Sequence, residues 1–273
     1  MTDFKFGSRT YIMGILNVTP DSFSGDGVYH DVGKAVDLAM KLVEDGADII
    51  DIGGESTRPG AKPVTIEEEI KRTIPVIKKL SKKIDVPISI DTAKSSLARL
   101  ALESGASIVN DITGLEYDQK IIGIVREFNA KLIVMHIKGT PLTMQNNPKY
   151  GNLIQEIKDK LKAIIEKAVK GGIKEENIII DPGIGFGKTL EHNLEIINRL
   201  SEFKEIGRPI LAGPSRKSFI GKIIGADPDK RIFGTAASVA IAIKNGADII
   251  RVHDVKEMKQ VAMIADAILR MGN

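Results

Sequence analysis

Eight short apolar segments along the chain each end in side chains that can do polar chemistry. In chain order these side chains are Asn17, Asp51, Asp91, Asn110, His136, Asp181, Lys217 and Arg251 with His253. An aspartate at such a place can serve simply as the cap of the next helix. Capping does not require arginine, histidine or asparagine, so the set as a whole predicts a binding site.

One part of this set is cationic or donates hydrogen bonds. Its members are Arg58, Lys217, Arg251 and His253, with Asn17 nearby. Guanidinium groups bind phosphate oxygens in bidentate fashion, so this group suits a phosphate or a diphosphate. The alternative interpretation is a solvated basic rim.

The other part consists of Asp91, Asn110 and Asp181. Carboxylates accept hydrogen bonds from paired N–H groups, so these residues suit the amidine-like edge of a nitrogen heterocycle. The two parts together predict a site that holds a heterocycle at one end and an anion at the other.

Other site chemistries have weaker support. Residues 183–188, Gly-Ile-Gly-Phe-Gly-Lys, look like a phosphate loop but lack the spacing of a Walker motif or a dinucleotide fingerprint. The four histidines are scattered without a close pair, so a zinc site is not expected. His136 has a second interpretation, as a buried histidine whose hydrogen bonds are satisfied.

The elements that position these side chains alternate strictly. Strands are predicted at 10–17, 48–52, 86–91, 107–111, 131–136, 177–181, 208–213 and 248–253. Helices are predicted near 32–45, 66–83, 94–104, 118–129, 152–171, 189–202, 230–245 and 255–271. This alternation predicts an α/β protein, a closed (β/α)8 TIM barrel with its site at the carboxyl ends of the strands. A doubly wound open sheet is the alternative.

Length and composition fit a single domain. The 273 residues include 42% apolar and 27% charged residues, the formal net charge is +3, and cysteine is absent. We expect residues 1–273 to form one cytoplasmic domain without disulfides. The small net charge and the lack of a long apolar segment predict neither nucleic acid nor a membrane as a partner.

Eight short motifs resemble those of the dihydropteroate synthase family and follow in the same order. They lie at 13–24, 51–61, 89–92, 110–112, 135–136, 181–188, 215–218 and 251–254. Each fragment alone is weakly specific, but eight in order over almost the whole chain are highly specific.

The resemblance implies a transferase of folate biosynthesis on a (β/α)8 barrel. Enzymes of this family join 6-hydroxymethyl-7,8-dihydropterin diphosphate to 4-aminobenzoate and release 7,8-dihydropteroate and diphosphate. The resemblance also implies Mg²⁺ on the diphosphate, a homodimer, and inhibition by sulfonamides that mimic aminobenzoate.

The resemblance assigns roles position by position. Asp91, Asn110, Asp181 and Lys217 are expected to bind the pterin. Asn17, Arg58, Arg251 and His253 are expected to bind diphosphate, with Asn17 also reaching Mg²⁺. Phe23, Thr57, Pro59, Phe186 and Ser218 are expected to shape the aminobenzoate pocket. Asp91, Lys217, Arg251 and His253 are the expected catalytic residues.

One departure from the family pattern lies in the first loop. The family usually has Ser-Phe-Ser-Asp-Gly-Gly there, whereas residues 22–27 are Ser-Phe-Ser-Gly-Asp-Gly. The role of Asp26 is therefore open. Two rival functions stay open as well: a pterin-binding methyltetrahydrofolate:corrinoid methyltransferase, and a pterin-binding paralogue without activity. A methyltransferase has no use for the cationic group, which argues against it.

The residues favour a dissociative substitution as the mechanism. Diphosphate becomes a good leaving group once cations spread its charge, and a pterin ring can stabilise the carbocation left behind. Neutral aromatic amines are nucleophilic without a strong base. Long loops after the first, second and fifth strands are expected on the face that carries the site, where loop closure can exclude water.

Overall fold

The strands of the structure, a computed structural model, are short and parallel. The model describes residues 4–19, 31–58, 60–61 and 63–269. The strands are β1 (Tyr11–Asn17), β2 (Ile49–Gly53), β3 (Ile88–Asp91), β4 (Ile108–Asp111), β5 (Lys131–Met135), β6 (Ile178–Asp181), β7 (Leu211–Ala212) and β8 (Ile249–Val252). Phe23, Asp26 and Pro59 lie outside the described residues.

The strands close into a ring. Their order is β6-β5-β4-β3-β2-β1-β8-β7, with every pairing parallel. A parallel bridge between Ile180 and Ile210 joins the two ends of this order. The predicted (β/α)8 barrel is therefore confirmed, and the open sheet is not the fold.

Helices separate the strands and cover the outside of the barrel. They are α1 (Val32–Glu44), α2 (Ile66–Leu80), α3 (Ser95–Glu103), α4 (Ile121–Glu127), α5 (Leu153–Lys170), α6 (Leu190–Asn198), α7 (Ser218–Ile224), α8 (Ile232–Lys244) and α9 (Val255–Leu269). Several begin at a side chain that caps the first turn. Asp31 accepts from the backbone N–H of Gly33 at 2.8 Å, and Thr65 and Asn152 cap α2 and α5.

The two largest apolar clusters of the described residues hold the barrel together. The larger lies between the strands and the helices, because each strand directs alternate side chains outward. The smaller lies inside the barrel and consists of Tyr11, Met13, Ile49, Ile108, Ile133, Ile179, Leu211 and Ile249, with Phe4 and Phe6 packed against it. These aromatic residues lie at the amino-terminal end, so the barrel is filled at that end.

The first strand and the last helix are tied to each other. The backbone N–H of Thr10 donates to Asp266 Oδ2 at 2.7 Å, and the Thr10 hydroxyl donates to Asp266 Oδ1 at 2.9 Å. Parallel pairing of β1 with β8 continues this junction. The two ends of the chain thus complete the ring together.

The structure differs from the predicted elements mainly around β7. Six residues were predicted for this strand, and two are found, because Pro209 precedes it and Gly213 and Pro214 follow it. Helix α7 was not predicted, since its seven residues fall in what reads as a loop. A 3-10 helix at Leu200–Ile206 continues α6. Within the described residues, no helix is long and apolar enough to cross a membrane.

Candidate active site

A cavity of about 350 Å³ opens at the carboxyl ends of the strands. Eight of the predicted site residues line it: Asn17, Thr57, Arg58, Phe186, Lys217, Ser218, Arg251 and His253. They come from loops that are far apart in the sequence, and the barrel brings them to one face. This is the face on which the alternation of strands and helices predicts the site.

The predicted acceptor group lies at the ends of β3, β4 and β6. Asp91, Asn110 and Asp181 are buried, with 8%, 4% and 8% of their surfaces exposed. Arg251 connects this group to the cavity, because its Nη2 donates to Asp91 Oδ2 at 2.7 Å.

A buried carboxylate that the sequence places at a strand end, without assigning it a binding role, completes this arrangement. Asp51 is fully buried and accepts from Arg251 Nε at 2.6 Å and from Asn110 Nδ2 at 3.1 Å. Its other oxygen, Oδ1, has no hydrogen-bond partner among the described residues. Its place two residues after the inward-facing Ile49 was the available signal, because residues two apart on a strand share a face.

Burial and mutual charge shift the ionisation of these groups. Burial raises the pKa of Asp91 to about 7; the Arg251 charge opposes this shift and the Asp51 charge adds to it. Burial also raises the pKa of Asp181. The pKa of Arg251 is raised, since the attraction of Asp51 and Asp91 outweighs the loss of hydration.

Lys217 lies beside both the carboxylates and an aromatic ring. Its Nζ lies 4.0 Å from the centre of the Phe186 ring, within cation–π range. Burial, together with the charge of Arg251, lowers the pKa of Lys217 to about 8. The ammonium form therefore predominates at neutral pH and can donate hydrogen bonds to a ligand.

The side chain of His253 is oriented by Ser215. The Ser215 hydroxyl accepts from the His253 backbone N–H at 3.2 Å and lies 3.0 Å from His253 Nδ1. A hydroxyl has one donor and two acceptor sites, so this contact is compatible with either neutral tautomer of the His253 ring. Burial and the nearby charge of Arg216 lower the pKa of His253 to about 3, which leaves the ring neutral.

The loop that presents Lys217 is held in a strained conformation. Arg216 has a φ of 55°, in the left-handed region that non-glycine residues rarely adopt. Its Nε donates to Asp254 at 2.9 Å, and its backbone N–H donates to Thr235 at 3.1 Å. Arg231 donates to the Arg216 carbonyl at 2.9 Å. These contacts fix the backbone on either side of Lys217.

His136 does not belong to the charged cluster of the cavity. It is 5% exposed, and its Nδ1 lies 3.0 Å from Nζ of Lys188. The interpretation as a buried, satisfied histidine is therefore confirmed. The glycine-rich loop at 183–188 uses its carbonyl groups for contacts within the protein, where Gln145 and Tyr150 donate to Gly185 and Gly187.

The second and fifth loops touch at the edge of the cavity. The Gly60 backbone N–H donates to the Pro141 carbonyl at 3.1 Å. At the base of the second loop, Lys94 binds Glu55 at 2.6 Å and Glu69 at 2.7 Å. The segment that carries Thr57 and Arg58 is thus anchored on both sides.

A divalent cation has few protein ligands in this cavity. Within the described ranges, no three histidine or acidic side chains are grouped so that they could hold a metal ion. Mg²⁺ usually keeps several waters and takes one or two protein oxygens plus substrate phosphate oxygens. The amide oxygen of Asn17, which lines the cavity, fits that limited requirement.

Comparison with known proteins gives consistent results. The profile of the family described as pterin binding enzyme matches residues 13–253. The dihydropteroate synthase of Synechocystis sp. is 50% identical over 270 residues, which cover 98% of this chain and 93% of that protein.

Solved structures are similar over the same length. The dihydropteroate synthase of Clostridium difficile, solved in the presence of pteroic acid, superposes with a TM-score of 0.92 at 47% identity and covers 98% of this chain and 100% of that one. The enzyme of Yersinia pestis in a sulfonamide drug complex superposes with a TM-score of 0.92 at 40% identity, covering 96% and 94%.

Proposed function

The chain belongs to the pterin-binding enzyme family, as a dihydropteroate synthase, and from this premise we propose how its residues carry the reaction. The enzyme joins 6-hydroxymethyl-7,8-dihydropterin diphosphate to 4-aminobenzoate and releases diphosphate. One observation carries the assignment of residues. Arg251 and Lys217 lie between buried carboxylates on one side and an open cavity on the other. We also propose that residues 1–273 act as one pterin-binding domain.

Asp91, Asn110, Asp181 and Lys217 bind the pterin in this proposal. Asp181 Oδ1 accepts from the Gly183 backbone N–H at 2.7 Å, which holds the carboxylate in one orientation. Buried acceptors of this kind favour the N–H-rich edge of a pterin, and the ammonium of Lys217 suits a ring carbonyl or nitrogen. Because Arg251 occupies one oxygen of Asp91, pterin binding shares or displaces that contact.

Asn17, Arg58, Arg251 and His253 bind the diphosphate. All four line the same cavity, and three of them carry N–H donors suited to phosphate oxygens. An arriving diphosphate favours the protonated form of His253, so binding of this substrate takes up a proton at low pH. Asn17 would hold Mg²⁺ through its amide oxygen, and the bound ion would supply positive charge to the leaving group.

Thr57, Phe186 and Ser218 form the described part of the aminobenzoate pocket. They line the outer part of the cavity, where Phe186 contacts Lys217. We also assign Phe23 and Pro59 to this pocket, and both lie outside the described residues. A pocket that combines the flat apolar ring of Phe186 with the hydroxyl groups of Thr57 and Ser218 suits an aromatic acid.

The reaction proceeds by dissociation before attack. The bond between the exocyclic carbon and the bridging oxygen breaks, and its electron pair leaves with diphosphate, whose charge Arg251 and Arg58 stabilise. The resulting carbocation is favoured by the negative field of Asp91 and Asp181. The aminobenzoate nitrogen then forms the new C–N bond and loses its proton to solvent or to diphosphate.

Diphosphate release tests this function directly. The purified chain is mixed with the pterin diphosphate and Mg²⁺, with and without 4-aminobenzoate. Release that requires aminobenzoate and yields dihydropteroate supports the proposal, and slow release without it supports dissociation with water as the trap. Tight pterin binding without release favours the methyltransferase or the silent paralogue. The cytoplasmic location stays a prediction.

The assembly that we propose is a homodimer built on an apolar face of α7, α8 and α9. The exposed apolar side chains on this face are Ile223, Ile224, Phe233, Ile241, Met263, Ile264 and Ile268. Helix α8 packs against both α7 and α9, and monomeric proteins rarely leave so many large apolar side chains of neighbouring helices in water. Light scattering after size-exclusion chromatography should give twice the 29.6 kDa chain mass, and Phe233→Glu should give the monomer.

A further inference from the structure

Lys188 is a buried lysine that the proposed reaction does not use. It is 2% exposed, although lysine is rarely buried without a carboxylate in direct contact. Its Nζ lies 3.0 Å from Nδ1 of His136, 3.2 Å from the His136 carbonyl oxygen and 2.9 Å from the Phe186 carbonyl oxygen. The three contacts connect the end of β5 to the loop after β6.

These contacts satisfy the lysine in either protonation state. An ammonium group has three N–H donors, which match the two carbonyl oxygens and an unprotonated Nδ1. A neutral amine keeps two donors for the carbonyls and accepts from a protonated Nδ1. Burial lowers the pKa of Lys188 to about 7 and that of His136 to about 3, so the imidazole stays neutral, and each form of Lys188 is matched by one of the two imidazole tautomers. The connection therefore persists through the neutral range.

The loop that Lys188 fixes has little conformational freedom. Gly183, Gly185 and Gly187 all have positive φ, at 74°, 86° and 63°. A Cβ at Gly183 would collide with the His136 carbonyl oxygen, so the two loops are in direct contact. Asn193 Oδ1 also accepts from the Gly185 backbone N–H at 2.6 Å. The backbone of Phe186 is held between these anchors.

Phe186 transmits this constraint to the cavity. Its carbonyl oxygen accepts from Lys188 on the protein side, while its ring lines the cavity and lies against Lys217. Lys188 is not among the residues that line the cavity. Its hydrogen-bonded route to a ligand therefore passes through the position of the Phe186 ring, while its charge also acts on Asp181 and Lys217.

We propose that Lys188 is a positioning residue, which holds Phe186 in place and so sets the affinity of the site for 4-aminobenzoate. The inference rests on the proposed function, because it takes the Phe186 side of the cavity as the aminobenzoate pocket. Among the described contacts, Lys188 makes no hydrogen bond to the four residues assigned to the pterin, and it acts on two of them, Asp181 and Lys217, only through its charge. Pterin binding should depend on it much less than aminobenzoate binding does.

The first test is Lys188→Met, which keeps most of the side-chain volume and removes the donors. The KM for 4-aminobenzoate should rise by about tenfold or more, with kcat at saturation within about threefold of the parent. The Kd for the pterin diphosphate, measured by calorimetry, should also stay within about threefold. An unchanged KM overturns the proposal, and so does an equal loss of all three quantities, which indicates a general structural role.

A second pair of variants keeps the proposal testable if Lys188→Met fails to fold. His136→Asn retains an acceptor near the place of Nδ1, whereas His136→Leu removes it. The KM for 4-aminobenzoate should rise by about threefold or more in His136→Leu and stay near the parent value in His136→Asn. In the double variant Lys188→Met/His136→Leu, the two effects should not add. Equal KM values in both His136 variants overturn the proposal.

The parent protein separates this inference from the function on which it rests. A folded parent that releases no diphosphate in the presence of aminobenzoate means that the proposed function fails. If the parent is active and Lys188→Met has the same KM for 4-aminobenzoate, then only the proposed role of Lys188 fails.

Discussion

The interior of the barrel contains two layers of side chains that lie two residues apart on the same strands. The lower layer is apolar and includes Ile49, Ile108, Ile179 and Ile249. Two residues further along, the same strands carry Asp51, Asn110, Asp181 and Arg251. Residues two apart share a face, so each strand contributes to both layers.

The two layers are stabilised by different forces. The lower layer loses its hydration on folding and is apolar apart from Ser89. The upper layer keeps charges out of water and compensates for this with pairs such as Arg251 with Asp51 and with Asp91. Two positions along a strand therefore separate the residues that form the fold from those that we propose to bind the substrate. Substitutions in the two layers should therefore affect different measurements.

Arg251→Ala should produce the largest change in activity. Loss of this guanidinium removes charge stabilisation of the leaving group, and kcat/KM should fall by about a thousandfold. Circular dichroism should show an intact fold, because the apolar layer below Arg251 is unchanged. Arg251→Lys keeps the charge but not the contacts with both Asp51 and Asp91. Its kcat/KM should lie between those of the parent and Arg251→Ala. Near-normal turnover in Arg251→Ala would remove the distinction between the layers.

Ile133→Ala in the lower layer should change stability and spare binding. Truncation of a buried isoleucine leaves a cavity and costs about 3 kcal/mol in the free energy of unfolding. Urea denaturation measures this loss, and calorimetry should give an unchanged Kd for the pterin diphosphate. Val134→Ala, whose side chain faces the helices, is the matched control with a smaller volume change. Altered pterin affinity in Ile133→Ala would show that the layers are coupled.

Asp181→Ala should reduce pterin affinity by about a hundredfold, because the hydrogen-bonded acceptor of the site is lost. Asp181→Asn, which keeps one oxygen, should lose less. Calorimetric titration with the pterin alone gives both values. An unchanged Kd in Asp181→Ala would place pterin recognition elsewhere.

The charged layer should also make stability depend on pH. The pKa of Asp91 is about 7 in the folded protein, against about 3.9 in an unfolded chain. The stability that comes from this proton is fully present below about pH 4 and is lost as the pH rises through 7. Between pH 5 and pH 8, the free energy of unfolding should fall by on the order of 2 kcal/mol more in the parent than in Asp91→Asn. The same change with pH in the two free energies of unfolding, measured by urea denaturation, would contradict this prediction.

Ser89→Ala should have the smallest effect. Ser89 is the polar member of the lower layer, and its hydroxyl has no hydrogen-bond partner among the described residues. Removal of an unpaired buried hydroxyl should change the free energy of unfolding by less than about 1 kcal/mol, with a gain as the expected sign. A clear loss in urea denaturation would show that the hydroxyl is bound in solution.

The sequence predicted the ring better than the contacts within it. Strand ends such as Asp91 and Asp181 were located because apolar periodicity and a following helix mark them. The short β7 and α7 were harder, since Pro209 and Pro214 restrict the strand and seven residues give little helical pattern. The roles of Asp51 and Lys188 could not be predicted, because they depend on contacts between distant parts of the chain. Arg251 is 200 positions from Asp51, and His136 is 52 positions from Lys188.

The junction of Thr10 with Asp266 has a consequence for how the chain is made. The edge of β1 leaves the ribosome before its partners β8 and α9 are synthesised, with a delay on the order of tens of seconds at ordinary translation rates. During that interval the strand presents unpaired backbone groups that can join another nascent chain. Yield in a cell should therefore depend on how well chaperones cover this edge, and Arg251 and His253 enter the site well after the residues of β1.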